Sequence, residues 1–113
     1  MPRSWRTDAV LVASLVLLYP SGAASQSATG ARTHSVTIEN MQFKPVTLTV
    51  HRGDRIVWVN KDLFPHTVTG TNKVFDSGGI AAGSSWTYVA NKVGEFPYGC
   101  TFHPTMKAAL TVQ

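Results

Sequence analysis

From His34 onward the chain alternates apolar and polar residues with a period of two, and Gly, Pro, Asn or Asp interrupts the pattern every few residues. "HSVTIE" puts Val36 and Ile38 on one face. "VTLTV" does the same with Val46, Leu48 and Val50. "RIVWVN" at 55–60 is apolar nearly throughout, as an inner strand covered on both faces can be. "HTVTG" at 66–70 ends on Gly70, "SWTYVA" alternates Trp86 and Tyr88 with smaller residues, and "GEFPYGC" and "KAALTV" supply the last two strands. "FDSGGIAAGSS" reads as a loop, because Gly78, Gly79 and Gly83 sit among small residues. No segment after residue 33 has helical periodicity. Short strands with close-spaced turn signals predict an all-β, antiparallel Greek-key sandwich of about seven to eight strands. Trp58, Phe75, Trp86, Tyr88 and Phe96 are then core packing rather than an electron wire. Arg52, Gly53 and Asp54 spell an adhesion triplet, but Gly-Asp between two strands predicts a hairpin turn.

The first 25 residues have a different character. Arg3 and Arg6 precede an apolar run, "AVLVASLVLLY" at 9–19, which is followed by Pro20, Gly22 and "AAS". A basic start, a short apolar stretch and small residues are the order of a secretory signal peptide. The run is about half the ~20 residues that a spanning helix needs. Cleavage is expected after Ala24 or Ser25, and a route through the twin-arginine exporter is disfavoured because the two arginines are not adjacent. Residues 26–33 read as a flexible lead, and 34–113 as the folded domain. Export implies the periplasm.

Without Arg3, Arg6 and Asp8, eight basic and five acidic residues remain, a net charge of +3. The basic residues are scattered, so nothing forms a nucleic-acid arm, and no membrane-binding segment is expected after cleavage. The domain holds about 80 residues, a core of modest size. Its single cysteine, Cys100, rules out an internal disulfide, a C-x-x-C redox pair and a four-cysteine zinc site. A domain this small without disulfides often uses a metal as its staple.

Cys100 stands in "YGCTFHPTMKAALTV", with His103 three residues later and Met106 three beyond that. A free buried thiol acting as a small hydrophobe is the plain alternative. Thiolate, imidazole and thioether together, however, form most of a copper electron-transfer set, which needs two histidines, one cysteine and a weak axial methionine. The second histidine must come from His34, His51 or His66. His66 is the best placed, since it follows Pro65 at the start of a strand, where a side chain faces the end of a sandwich. His34 borders the lead and His51 abuts the turn at 52–54, so both read as solvated surface residues. A Cys-His nucleophile would have no use for Met106 or His66. No Ser-His-Asp set, paired carboxylates or phosphate loop is present, and no enzymatic activity is expected.

"WVNKDLFPHTV", "FDSGGIAAGSSWTY" and "GEFPYGCTFHPTMKAALTV" together resemble the cupredoxins, the type 1 blue copper proteins, and within them the amicyanin and plastocyanin-like group. The resemblance covers the chain from about residue 34. The spacing C-x2-H-x2-M is the short ligand loop of the amicyanin kind. It implies one copper ion cycling between Cu(I) and Cu(II), held by His66, Cys100, His103 and Met106. It also implies that Asn60 ties the histidine loop to the cysteine loop. Thr67 occupies a position often taken by asparagine, from which its hydroxyl can reach the same loop. Two positions depart from the pattern. Phe102 replaces a proline between cysteine and histidine, and Ala108 stands where glycine often follows the methionine. The implied function is that of a monomeric periplasmic electron shuttle. Its redox partner proteins, such as a c-type cytochrome, a dehydrogenase or a reductase, would dock near His103. Phe64, Pro65, Phe102 and Pro104 would rim that site, and Lys61, Lys73 and Lys107 would steer an acidic partner. The alternative is a periplasmic carrier that stores or delivers copper.

Overall fold

The structure, a computed structural model, describes residues 12–18 and 30–113. The basic start of the expected signal peptide, its cleavage region and residues 26–29 of the lead lie outside the described residues. Residues 12–18 have no regular secondary structure, and their apolar side chains are exposed. Among the described residues, no helix is long and apolar enough to cross a membrane.

Eight strands follow: β1 Thr33–Glu39, β2 Gln42–Lys44, β3 Thr47–Val50, β4 Arg55–Asn60, β5 Thr69–Gly70, β6 Ser85–Val89, β7 Gly94–Gly99 and β8 Lys107–Val112. They form two four-stranded sheets, in the orders β2-β1-β4-β6 and β3-β8-β7-β5. The sandwich is all-β, as the alternation requires. Its sheets are mixed rather than wholly antiparallel: β1 runs parallel to β4, and β3 parallel to β8. Alternation assigns faces to side chains and carries no information about strand direction. The chain makes a β1–β2 hairpin, crosses to the other sheet as β3, and returns as β4 beside β1.

That crossing corrects the hairpin expected at residues 52–54. Gly53 has φ of +94°, a conformation glycine adopts without steric cost, and the segment is a turn. The strands it joins lie in different sheets, so it is a corner. The expected strand at 66–70 shortens to Thr69–Gly70, while His66 makes an isolated bridge to Ile80. β2 is an addition to the expected set. Its hairpin turns through Asn40 and Met41, at φ of 54° and 61°, which is the two-residue geometry that matches strand twist.

The inward faces of both sheets meet in one core, with Val36, Ile38, Phe43, Ile56, Trp58, Val68 and Leu110 fully or almost fully buried. Burying side chains of this size stabilises by about 1.5–3 kcal/mol each. Trp58 on β4 is its centre, with ring centroids 5.5 Å from Trp86 and 5.7 Å from Tyr98. The Trp58 indole donates to the Tyr98 hydroxyl at 3.2 Å, a hydrogen bond that joins the two sheets. Burial pushes the Tyr98 phenol up to about 12, against the opposing effect of that indole N–H. The expected core aromatics therefore divide: Trp58 and Phe75 are buried, while Trp86, Tyr88 and Phe96 pack at its edge.

At the far end of β4, Asp54 is buried and organises the corner. Its carboxylate accepts from the Arg32 N–H, the His51 N–H and the His34 ring, each at 2.9 Å. The Arg32 N–H, the His34 ring and the His51 N–H, in that order, hold its carboxyl well below the ordinary carboxylate range. The His34 ring is thus engaged at this corner, whereas His51 gives only its backbone N–H and its side chain is exposed, as expected. A folded pKa below the unfolded value stabilises the fold above the unfolded pKa of about 3.9, and that stabilisation disappears as pH falls toward the folded value. The thermal midpoint should therefore drop more steeply between about pH 5 and pH 2 in the natural chain than in Asp54→Asn, whose amide does not titrate. Melting curves of the two proteins check this, and parallel pH profiles would contradict it.

Candidate metal centre

Two loops at the Asn60 end of β4 bring the donors together. The first, between β4 and β5, carries His66. The second, between β7 and β8, carries Cys100, His103 and Met106. Alternation along β7 points Tyr98 and Cys100 inward, with Gly99 between them facing outward. A Cβ on Gly99 would lie 2.7 Å from the Met106 carbonyl oxygen, so glycine is what lets the loop fold back on its own strand. That loop is tightly wound. His103 N–H donates to the Cys100 carbonyl at 3.3 Å, Met106 N–H to the His103 carbonyl at 2.9 Å, and Cys100 N–H to the Met106 carbonyl at 3.2 Å. Two consecutive turns thus fit the x2 spacings on either side of His103, and Phe102 and Ala108 are accommodated without opening them.

The Cys100 sulfur lies 3.7 Å from the Nδ1 atom of His66 and 3.7 Å from the Nδ1 atom of His103, and all three donor atoms lie within 4.8 Å of one another. Two donors bound to one ion at about 2.0–2.3 Å and about 120° apart sit ~3.7 Å from each other. Cys100 and Met106 are buried at 4% and 3% exposure, and His66 is fully buried. His103 is half-buried. One thiolate, two imidazoles presenting the same ring nitrogen and a buried thioether on the same loop fit a single copper ion, the soft donors setting it apart from a hard-cation site.

The surrounding hydrogen bonds fix the donors before any ion arrives. Asp62 Oδ2 accepts from His66 Nε2 at 2.7 Å, which places that ring's proton on Nε2 and leaves Nδ1 free. Asp62 also accepts the N–H groups of Asn40 at 2.8 Å and Met41 at 3.0 Å, so one carboxylate joins the β1–β2 turn to the His66 ring. Burial raises its carboxyl, but the Met41 N–H, the His66 ring and the Asn40 N–H outweigh this and lower it on balance. Asp62 stands in no sequence motif. The signal was its i,i+4 spacing to His66, but only the fold reveals that the carboxylate and the ring face each other.

Asn60 does not make the connection expected of it. Its amide donates to the carbonyls of Phe64 and Ile80, each at 2.9 Å, and its oxygen accepts from Asp62 N–H at 3.0 Å. It braces the histidine loop against the Ile80 segment, and none of these bonds reaches the cysteine loop. Thr67 makes that connection twice. Its N–H donates to the Cys100 sulfur at 3.3 Å, and its hydroxyl accepts from Thr101 N–H at 2.8 Å.

Outside the donors lies an apolar rim. The Phe64 ring packs against both imidazoles, at 5.1 Å from His66 and 5.6 Å from His103. Phe102, next to His103 in the chain, is 54% exposed and Phe64 42%.

The comparisons agree with this geometry. Residues 9–112 match the family model for the cupredoxin-like domain. The chain is 26% identical over 83 residues to an amicyanin of Paracoccus versutus, a match covering 69% of this chain and 63% of that protein. It is 30% identical over 77 residues to a chloroplastic plastocyanin of Tetradesmus obliquus, covering 54% of this chain and 50% of that protein. The chain thus spans less than two thirds of each of these two relatives. A solved structure of an amicyanin variant in its Cu(I) form superposes with a TM-score of 0.68 at 23% identity, over 72% of this chain and 82% of that one. Fold, family model and donor set converge: the chain belongs to the cupredoxin-like family.

Proposed function

We propose that the protein is an exported, periplasmic electron carrier that passes single electrons between redox partner proteins through His103. The observation that supports this most directly is the asymmetry of the donor set. His66 and Cys100 are sealed, whereas His103 is half-buried, with exposed Phe64 packed against its ring and exposed Phe102 directly before it in the chain. A buried redox site with one ligand edge at an apolar surface suits brief, small-area encounters. Bound copper would supply a one-electron couple. The chain's own contribution is to hold the donors still: Asp62 fixes the His66 ring, Thr67 N–H bonds the Cys100 sulfur, and the wound loop sets His103 and Met106. Little then needs to rearrange on electron transfer. The exposed Lys61, Lys73 and Lys107 add basic steering toward an acidic partner. The apolar run at 9–19 and the small residues after it supply the export reading.

The test compares two rates on the copper-loaded protein. Voltammetry should give a reversible one-electron wave, and reduction by a small c-type cytochrome should outpace loss of copper to a chelator. Metal release faster than electron exchange overturns the carrier role in favour of copper delivery. Phe102→Asp should slow the cytochrome reaction about tenfold or more without changing the potential sign, since it places a charge at the centre of an apolar contact.

Met106 would be the weak thioether donor of the set. Met106→Leu should retain the metal and its colour and raise the potential, because losing a donor disfavours the oxidised ion. An unchanged or lowered potential in voltammetry would remove Met106 from the ligand set.

A further inference from the structure

We infer that Asp76 is a positioning residue for the metal centre, acting through a one-way chain of threonine hydroxyls that ends on the loop carrying Cys100. The inference rests on the copper reading of the site. The chain begins at the surface, where Asp76 Oδ1 accepts from the Thr69 hydroxyl at 3.1 Å and from Gly78 N–H at 3.0 Å. The Thr69 oxygen lies 3.0 Å from the Thr67 hydroxyl, which in turn lies 3.1 Å from the Thr101 hydroxyl and accepts Thr101 N–H at 2.8 Å. Thr67 directly follows His66, and Thr101 directly follows Cys100.

Its direction follows from counting protons. An ionised carboxylate can only accept, so Thr69 gives its single hydroxyl proton to Asp76. The Thr67–Thr69 contact must then use the Thr67 proton. The Thr67 oxygen is left with two lone pairs, which take the Thr101 N–H and the Thr101 hydroxyl. Every donor and acceptor on Thr67 is thereby used in one sense only. Asp76 is ionised at neutral pH: Gly78 N–H and the Thr69 hydroxyl lower its carboxyl, burial opposes them, and the charge of Lys73 assists. Hydrogen bonds aligned in one direction polarise one another. The negative charge of Asp76 therefore makes the Thr67 oxygen a stronger acceptor for the cysteine loop's N–H. Asp76 touches neither loop donor, and Thr67 is buried while Asp76 is exposed, so the chain links the surface to the clamp between the two ligand loops.

An oxidised site carries one more positive charge than a reduced one, and a negative charge relayed to its edge favours oxidation. Two substitutions separate charge from connection. Asp76→Asn keeps an oxygen for Thr69 and Gly78 but removes the charge. Thr69→Val keeps the charge and the strand but cuts the chain. In the copper-loaded full chain, both should raise the potential, by up to a tenfold shift in the redox equilibrium or about 59 mV. The double variant should add little to either. In the copper(I) protein, the Thr101 amide proton should move upfield in both variants, an NMR change that bulk stability does not mimic. If Asp76→Asn shifts the potential while Thr69→Val does not, the charge acts through space and the relay is overturned. The same follows if the Thr101 amide stays at its natural position in both. A chain that fails to bind copper overturns the site reading and this inference together. A coloured protein with an unmoved Thr69→Val potential overturns this inference alone.

Discussion

Cys100→Ser should leave the copper-loaded protein nearly colourless. The intense visible band of such a site arises from charge transfer out of a thiolate, and a serine oxygen is a harder donor that binds copper in a different manner. The fold should persist, because serine occupies slightly less space than cysteine at the end of β7 and its oxygen can still accept Thr67 N–H. Absorption should fall by roughly an order of magnitude or more at the charge-transfer band, with near-natural circular dichroism. This outcome separates a metal-ligating Cys100 from a buried thiol that only packs, whose replacement would leave the spectrum of the loaded protein unchanged. A Cys100→Ser protein that stays intensely coloured sinks the assignment.

Asp62→Ala should lower copper affinity by about 10–100-fold, the cost commonly met when a hydrogen-bond partner of a ligating histidine is removed. Three groups lose their acceptor at once: the His66 ring and the N–H groups of Asn40 and Met41. The His66 ring can then turn, and either nitrogen can carry its proton. The β1–β2 turn also loses the anchor that offsets the positive φ of Met41, a conformation that costs an ordinary side chain about 1 kcal/mol or more. Competition titration with a chromophoric chelator measures the first effect, and faster amide exchange at residues 40 and 41 reports the second. Asp62→Asn should recover part of the affinity, since its carbonyl can accept from the His66 ring. An Asp62→Ala affinity within about twofold of the natural chain would show that His66 is oriented by packing alone. Placing this carboxylate beside a ligand has a structural consequence as well: the hairpin added by β2 becomes part of the support of the metal centre rather than a peripheral ornament of the sheet.

The local sequence determined those features whose cause is local. The period of two in "HSVTIE" and "SWTYVA" fixed which side chains face inward, and hence the sandwich. The C-x2-H-x2-M spacing fixed three donors, because two tight turns are all that the five residues between Cys100 and Met106 can make. His66 was recognisable from its place after Pro65, at the mouth of a strand. Tertiary structure decided everything that depends on segments distant along the chain. The parallel pairing of β1 with β4, and of β3 with β8, needs the crossing at Gly53, which alternation cannot distinguish from a hairpin. Thr67 makes the connection to the cysteine loop expected of its hydroxyl while Asn60 does not make the one expected of it, because reach across a sandwich depends on which way a strand end points. Asp62 and Asp76 gave no motif at all. Each acts through hydrogen bonds to groups brought near by folding: Asp62 to the turn at Asn40, and Asp76 to a hydroxyl chain ending 25 residues further on, at Thr101. A carboxylate's role is set by the donors that face it, and those donors are assembled only when the two sheets close on their core.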